Sequence, residues 1–297
     1  MRTLLLLALF SIGCGDDSQP RPLFPDDMGG DVDMLGDAAE DQGTEPDTGN
    51  EVDMESDLET DQGNGFCTPN RDGVIERHEV TLQAGLNAKF RVSTAATFDS
   101  AGEEVGGQKV WDMSGDLTGD MLTVVELQRP DDYWFAPDFA NATYVSRLSA
   151  GADLLGIFQV TDSGLLLLGV ASPESGFTST KLTYDPPVEV LKFPITSDSL
   201  WQTEAQVSGT ALGIFSFYSE KYTTRSAGSG LLKTPFADFP VTRLRVELER
   251  TVGLLTTTVR QYVFVTECFG TVATIRSADN EPDLEFDSPA EIRRIAP

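Results

Sequence analysis

The chain of 297 residues contains one histidine, His78, and that scarcity removes much of hydrolytic and metal chemistry. A Ser-His-Asp or Cys-His set would have to use this single imidazole. No Gly-x-Ser-x-Gly elbow accompanies it. Three cysteines and one histidine make no zinc cluster. A phosphate-cradling glycine loop and a dinucleotide fingerprint are both missing. Basic residues are also scarce: 21 Lys and Arg face 48 Asp and Glu, a net charge of −27. Phosphate contacts need clustered Lys and Arg, so nucleic acid is excluded as a partner. No apolar run reaches the roughly twenty residues needed to span a bilayer. Helical periodicity is rare. Carboxylates are everywhere, and their spacing in space is invisible here, so a glycosidase pair has no specific support. A non-enzymatic protein is therefore expected.

What is present begins with Met1-Arg2-Thr3 and the run Leu4-Leu5-Leu6-Leu7-Ala8-Leu9-Phe10-Ser11-Ile12-Gly13-Cys14. A basic start, an apolar core of about ten residues and a small residue before cysteine suit an export leader. The pattern resembles the signal peptide of bacterial lipoproteins. In that class the leader, here residues 1–13, is cut away and acyl chains on the cysteine, here Cys14, hold the protein to a bilayer. Ser11 stands where the class prefers leucine, and Ile12 is bulkier than usual. The alternative is an ordinary secretory leader with a free cysteine. Gly15 follows Cys14 where an inner-membrane retention signal would have Asp. The resemblance thus implies an outer-membrane anchor, facing the periplasm or the exterior.

Residues 14–65 form one compositional block. Positions 15–65 hold 17 Asp and Glu and one base, Arg21, so more than half of the negative charge lies in about one-sixth of the length. Such a block, low in aromatics and rich in Gly, Pro, Asp and Thr, cannot bury enough apolar surface to offset chain entropy. Like charges extend it. It reads as a disordered acidic linker and spacer.

Residues 66–297 are expected to form a single all-β domain. Alternation with β-branched and aromatic residues recurs over 87–94, 121–128, 143–149, 154–160, 165–171, 179–184, 188–193, 201–208, 212–224, 229–234, 241–250, 255–266 and 270–276. Asp162-Ser163-Gly164, Pro173-Glu174-Ser175-Gly176 and Ser197-Asp198-Ser199 supply turns between them. Many strands with short turns predict an antiparallel meander: a curved sheet, half-barrel or sandwich. One short helix is expected near Pro289–Arg294.

Cys67 and Cys268 bracket this domain. An even pair in an oxidising compartment reads as a disulfide, the alternative being two buried thiols. Closing so long a loop contributes up to about 4–5 kcal/mol in the chain-entropy model. Beside Cys67, the segment Thr68-Pro69-Asn70-Arg71-Asp72-Gly73-Val74-Ile75-Glu76-Arg77-His78-Glu79 resembles the calcium loop of EF-hands and dockerins. The resemblance implies ligands from Thr68, Asn70, Asp72, the Val74 carbonyl and Glu79, with Gly73 at the sharp turn. Thr68 replaces the usual first Asp and no entering helix is evident; an Asn-Arg-Asp-Gly turn is the plainer alternative. Calcium is the one ion the sequence offers a place for, and no organic cofactor is expected.

Two further segments, from Tyr184-Asp185-Pro186-Pro187 through Leu191-Lys192-Phe193-Pro194 to Trp201, and Gly228-Ser229-Gly230-Leu231-Leu232-Lys233-Thr234-Pro235 before Leu244-Arg245-Val246, resemble a pattern in exported Gram-negative proteins with no assigned activity. Its physical content is a hairpin in which glycines permit close backbone approach. At fold level the meander is similar to the half-barrels of lipoprotein carriers, which curve around an apolar cavity for acyl chains. On that likeness Trp111, Trp134, Trp201, Phe215 and Phe217, with Phe135 and Tyr218, are cavity-lining candidates; filling a closed core is their other role. The expectation is a monomeric, membrane-anchored binding protein for an apolar or lipid-like ligand. The alternatives are an envelope component that makes protein contacts only and, more remotely, a hydrolase.

Overall fold

Strand after strand shows a period of two in burial. Between Leu200 and Ala211, Trp201, Thr203, Ala205 and Val207 are buried while Gln202, Glu204 and Gln206 are exposed. Successive side chains of a strand point to opposite faces, so each strand offers one face to the interior. The computed structural model describes residues 67–149 and 153–297. The leader 1–13, Cys14 and the acidic segment to residue 65 lie outside the described residues.

Fourteen strands form: β1 (Asn87–Ser93), β2 (Glu103–Val105), β3 (Gln108–Asp112), β4 (Met121–Glu126), β5 (Tyr144–Arg147), β6 (Leu155–Val160), β7 (Gly164–Ala171), β8 (Lys181–Lys192), β9 (Leu200–Ala211), β10 (Ile214–Lys233), β11 (Asp238–Val252), β12 (Leu255–Thr266), β13 (Gly270–Arg276) and β14 (Glu291–Ala296). Twelve of them run in the order β4-β1-β14-β13-β12-β11-β10-β9-β8-β7-β6-β5, each antiparallel to its neighbours. The two ends of this sheet meet. Gln128 and Val145 exchange backbone hydrogen bonds of 2.8 and 3.0 Å, so the sheet is nearly closed into a barrel. An eight-stranded barrel is just filled by its own side chains, and more strands leave room inside.

Four features depart from the sequence reading. The expected helix near 289–294 is strand β14: Ile292 and Ile295 are buried on opposite faces, and pairing with β13 and β1 overrides local preference. Residues 179–184 and 188–193 join into β8, because Pro186 and Pro187 sit where the ladder to β7 lapses in a bulge and no N–H is needed. Residues 212–224 and 229–234 join into β10 across a bulge at Ser226–Ser229, where Gly228 has a φ of +107°. The short β2–β3 hairpin gives no pattern in sequence, since β2 is exposed throughout.

β3 lies outside the barrel, parallel to the end of β10. This approach needs Gly230, where a Cβ would fall 2.2 Å from the Lys109 carbonyl oxygen. The hairpin and the segments 94–120 and 277–290 cover the outer face of β10–β14. There Trp111, Met113 and Phe286 pack on Tyr262, Phe264, Ile275 and Ile292. Arg294, fully buried, fastens this cover. Its Nε donates to the Met113 carbonyl at 2.8 Å, and its Nη1 reaches Asp120 Oδ1 at 2.7 Å. The bonded guanidinium holds the Asp120 carboxyl below its usual range. A second cover, centred on Phe135 and Phe139, packs over Val145, Leu155 and Ile157 of β5 and β6.

Residues 67–86 cross one end of the barrel as a strap. Ile75 exchanges 2.9 Å backbone bonds with Ile195 in the β8–β9 turn. The Arg77 guanidinium donates to the Thr161 carbonyl in the β6–β7 turn at 3.2 Å. Cys268, in the β12–β13 turn, donates its N–H to the Glu79 carbonyl at 2.7 Å, and Gly85 donates to the Leu127 carbonyl just beyond β4 at 2.7 Å. All four anchors belong to the same end of the antiparallel meander. Ile75 and Val80 turn their side chains into a core with Leu165, Leu191, Trp201 and Leu244. The Cys67–Cys268 disulfide, spanning 201 positions, ties the strap to the sheet. Reduction should therefore lower unfolding stability by about 2–5 kcal/mol. Urea unfolding with and without reductant measures this, and unchanged midpoints would contradict it.

Candidate functional site

Alternation along β11 and β12 decides what faces inward. Leu244 pairs with Val263 and Val246 with Gln261, and all four line a cavity inside the barrel. Their strand neighbours Tyr262 and Phe264 point outward under the Trp111 cover. The cavity has a volume of about 630 Å³. Its walls are mainly apolar: Phe90 and Ile295 on β1 and β14, Phe158 on β6, Leu165 and Leu167 on β7. Leu82 of the strap and Cys268 border it at the strapped end. Polar side chains interrupt the wall, among them Ser146, Glu189, Thr224, Gln261, Thr274 and Arg293.

Beyond Tyr222, on the inner face of β8–β11, a buried polar cluster replaces the apolar wall. Glu220 is fully buried; its Oε1 accepts from Arg250 Nε and its Oε2 from the Tyr222 hydroxyl, both at 2.6 Å. The Arg250 guanidinium lies 5.6 Å from the Tyr218 ring centre. The Tyr184 and Tyr218 hydroxyls and Arg250 Nη2 have no protein partner. Burial pushes the Tyr184 and Tyr222 hydroxyls far above the ordinary tyrosine value. Two opposite charges in a low-dielectric interior persist because each offsets the desolvation of the other.

None of the five proposed aromatic liners stands in the cavity wall. Trp111 is on the outer face, edge-on to Phe264 at 5.1 Å, with Nε1 donating to the Ser100 carbonyl. Trp134 is half-buried beneath the second cover and donates to the Ser172 carbonyl. Trp201 faces inward but is locked into the core under the strap, Nε1 donating to the Glu189 carbonyl at 2.9 Å. Phe215 and Phe217 alternate with inward Tyr218 and Glu220, so they face solvent and are 74 and 62 % exposed. They adjoin exposed Leu212 and Ile214 at the β9–β10 hairpin end. Phe177 lies beside that hairpin, its carbonyl 2.3 Å from where a Cβ on Gly213 would fall. The wall aromatics are Phe90, Tyr144, Phe158, Tyr222 and Phe269. Strand parity is a signal for two of them: Phe90 alternates with Ala88 and Val92, and Phe158 with Gly156 and Val160, whereas Tyr144 and Tyr222 alternate with polar residues such as Ser146 and Glu220.

The calcium-like segment is a closed network. Asn70 Oδ1 accepts from the Asp72 N–H and Asp72 Oδ1 from the Val74 N–H, at 2.9 and 2.8 Å. Glu79, buried, accepts from the Asn70 amide and the Glu76 N–H, both at 2.8 Å. Thr68 is exposed and Val74 half-buried. The loop's side-chain oxygens thus hold the strap's own N–H groups. Among the described residues no group of three or more His, Cys, Asp or Glu gathers in a metal-holding arrangement. His78 is exposed on the same strap. Comparison with family models, curated proteins and solved structures finds no match to this chain.

Two expectations follow from this placement. Trp201→Ala should cost about 3–5 kcal/mol in urea unfolding, as a buried aromatic does. Phe215→Ser and Phe217→Ser should stay within about 0.5 kcal/mol, as surface changes do; the opposite order would contradict the assigned faces. All six tyrosines have hydroxyls held above the usual value, burial being the first cause in each, and Tyr262 is pushed up to about 12. The folded values exceed the unfolded value of about 10, so this contribution is complete below pH ~10 and is lost as pH rises through the folded values. Most tyrosinate absorbance should appear as the chain unfolds in alkali. Titration of most tyrosines near pH ~10 in folded protein would contradict it.

Proposed function

We propose that this protein is a membrane-anchored, non-enzymatic binding lipoprotein whose barrel takes an apolar or lipid-like ligand. The observation that carries the reading is the cavity of about 630 Å³ with mainly apolar walls. This volume lies in the range of small-molecule sites, about 300–1,000 Å³. Polar side chains such as Gln261, Thr274 and Arg293 interrupt the apolar wall, as in sites that orient one ligand. The leader-type run Leu4–Gly13 before Cys14 supports export and an acyl anchor in the outer membrane. The acidic stretch that follows, with one base among residues 15–65, supports a solvated spacer between anchor and barrel.

A second reading, a contact surface for another envelope protein, is favoured by one observation. Phe215 and Phe217 stand exposed on one face of β10 near the β9–β10 hairpin, where Leu212 and Ile214 are exposed as well. Grouped exposed apolar side chains mark interaction sites more often than single ones do.

Titration with an apolar fluorophore tests the first reading. One equivalent should bind and be displaced by a long-chain amphiphile. Val246→Trp, which fills the cavity from β11, should weaken binding by at least about tenfold and leave the melting temperature within a few degrees. A collapse in melting temperature would mean that the interior is packed, as overfilled cores are destabilised.

A further inference from the structure

The ladder register places two arginines on the cavity side of β13 and β14. Thr224 pairs with Val246, Val246 with Gln261, Gln261 with Arg276, and Arg276 with Glu291. Directly paired residues share a face. Thr224, Val246 and Gln261 line the cavity, so Arg276 and Glu291 lie on that same inner face. One step along, Val263, Thr274 and Arg293 form the next row, and all three line the cavity. Arg276 is 7 % exposed and its buried Nη1 has no hydrogen-bond partner. Arg293 Nε lies 3.2 Å from Glu291 Oε1 without a directed hydrogen bond. Arg276 has no ion-pair partner among the described residues.

Arg276 is thus a buried cation beside the cavity wall, next to the lining residues Gln261 and Arg293, with no ion pair of its own among the described residues. The other charges near the wall are matched: Arg147 pairs with Asp153 at 2.8 Å, Glu189 with Lys192 at 3.3 Å, and Glu220 with Arg250. Burial pulls the Arg276 guanidinium below the ordinary arginine value, against the attraction of Glu291 and Asp279 and with the help of Arg293. A buried charge without a full set of partners is costly, and an incoming anion removes that cost.

We propose that the cavity's ligand is a single-chain amphiphile with an anionic head, a carboxylate or phosphate monoester, received by Arg276 and Arg293. The proposal rests on the barrel being an apolar binding cavity and adds the chemistry of the head. The acyl chain lies along Leu244, Val263 and Phe90, and the head meets the two guanidiniums with Gln261 and Thr274 as neutral partners.

The test is competition against the bound fluorophore on the full chain, using hexadecanoate, hexadecyl phosphate and hexadecanol. The anions should displace it at least about tenfold better than the alcohol. The stronger of the two anions identifies the head. Arg276→Gln and Arg293→Gln should each erase most of that advantage while alcohol affinity stays within about twofold. Arg276→Lys, which keeps the charge, should retain it. Equal binding of anions and alcohol by the wild-type protein, a comparison that needs no variant, overturns the proposal and leaves the apolar cavity standing. An advantage that survives both Gln replacements overturns it as well. If no amphiphile competes, the proposal and the cavity reading fall together.

Discussion

Twelve strands joined edge to edge enclose more space than their inward side chains fill, and the rest of the molecule answers to that excess. Each backbone group in the ladder is satisfied by its neighbours, so the sheet gains by closing on itself instead of exposing two edges. The two sheet ends meet only at the Gln128–Val145 pair of hydrogen bonds, which leaves the barrel nearly closed. What remains inside is too large for Leu244, Val246, Val263, Phe90 and Phe158 to occupy. The strap under the Cys67–Cys268 bond closes one end, and the buried Glu220–Arg250–tyrosine cluster occupies part of the inner face beyond the cavity. On the proposed reading this apolar space takes a guest, because walls lined by hydrocarbon gain contacts from an apolar ligand.

The outer covers have the same origin in strand parity. Tyr262, Phe264, Ile275 and Ile292 of β12–β14 turn away from the cavity and are buried, so that part of the outer face needs its own shield. Trp111, Met113 and Phe286 provide it, and Arg294 bonded to Asp120 and the Met113 carbonyl holds it down. Charge inside the barrel follows a different logic. Glu220 and Arg250 neutralise one another, whereas Glu291 is paired with Arg293 and leaves Arg276 without an ion pair among the described residues. The first arrangement builds structure. The second is the more natural place for a ligand's head.

Much of the fold was legible in sequence. β-Branched alternation marked nearly all the long strands, the turn cluster Ser197-Asp198-Ser199 falls between strands, and Asp162-Ser163-Gly164 leads into the start of β7. The two cysteines of the folded region are bonded to each other. What sequence could not give was the face. Phe215 and Phe217 have every local attribute of wall residues, but their register relative to Tyr218 and Glu220 turns them to solvent. Trp111 was misplaced because its strand joins β10 from outside, a pairing of two segments more than a hundred residues apart. β14 reads as a short helix because Glu291, Arg293 and Arg294 favour one locally, and only its two neighbours make it a strand. Arg276 and Arg293 were invisible as a pair, since their nearness exists only across the β13–β14 ladder.

The account stands or falls on whether the barrel holds a guest. Native mass spectrometry of the protein purified from membranes, compared with the mass of the same sample after denaturation, measures this directly. The account predicts an excess in the native mass equal to one amphiphile, lost on denaturation and restored by incubation with a long-chain acid. Identical native and denatured masses, both as purified and after that incubation, would contradict it.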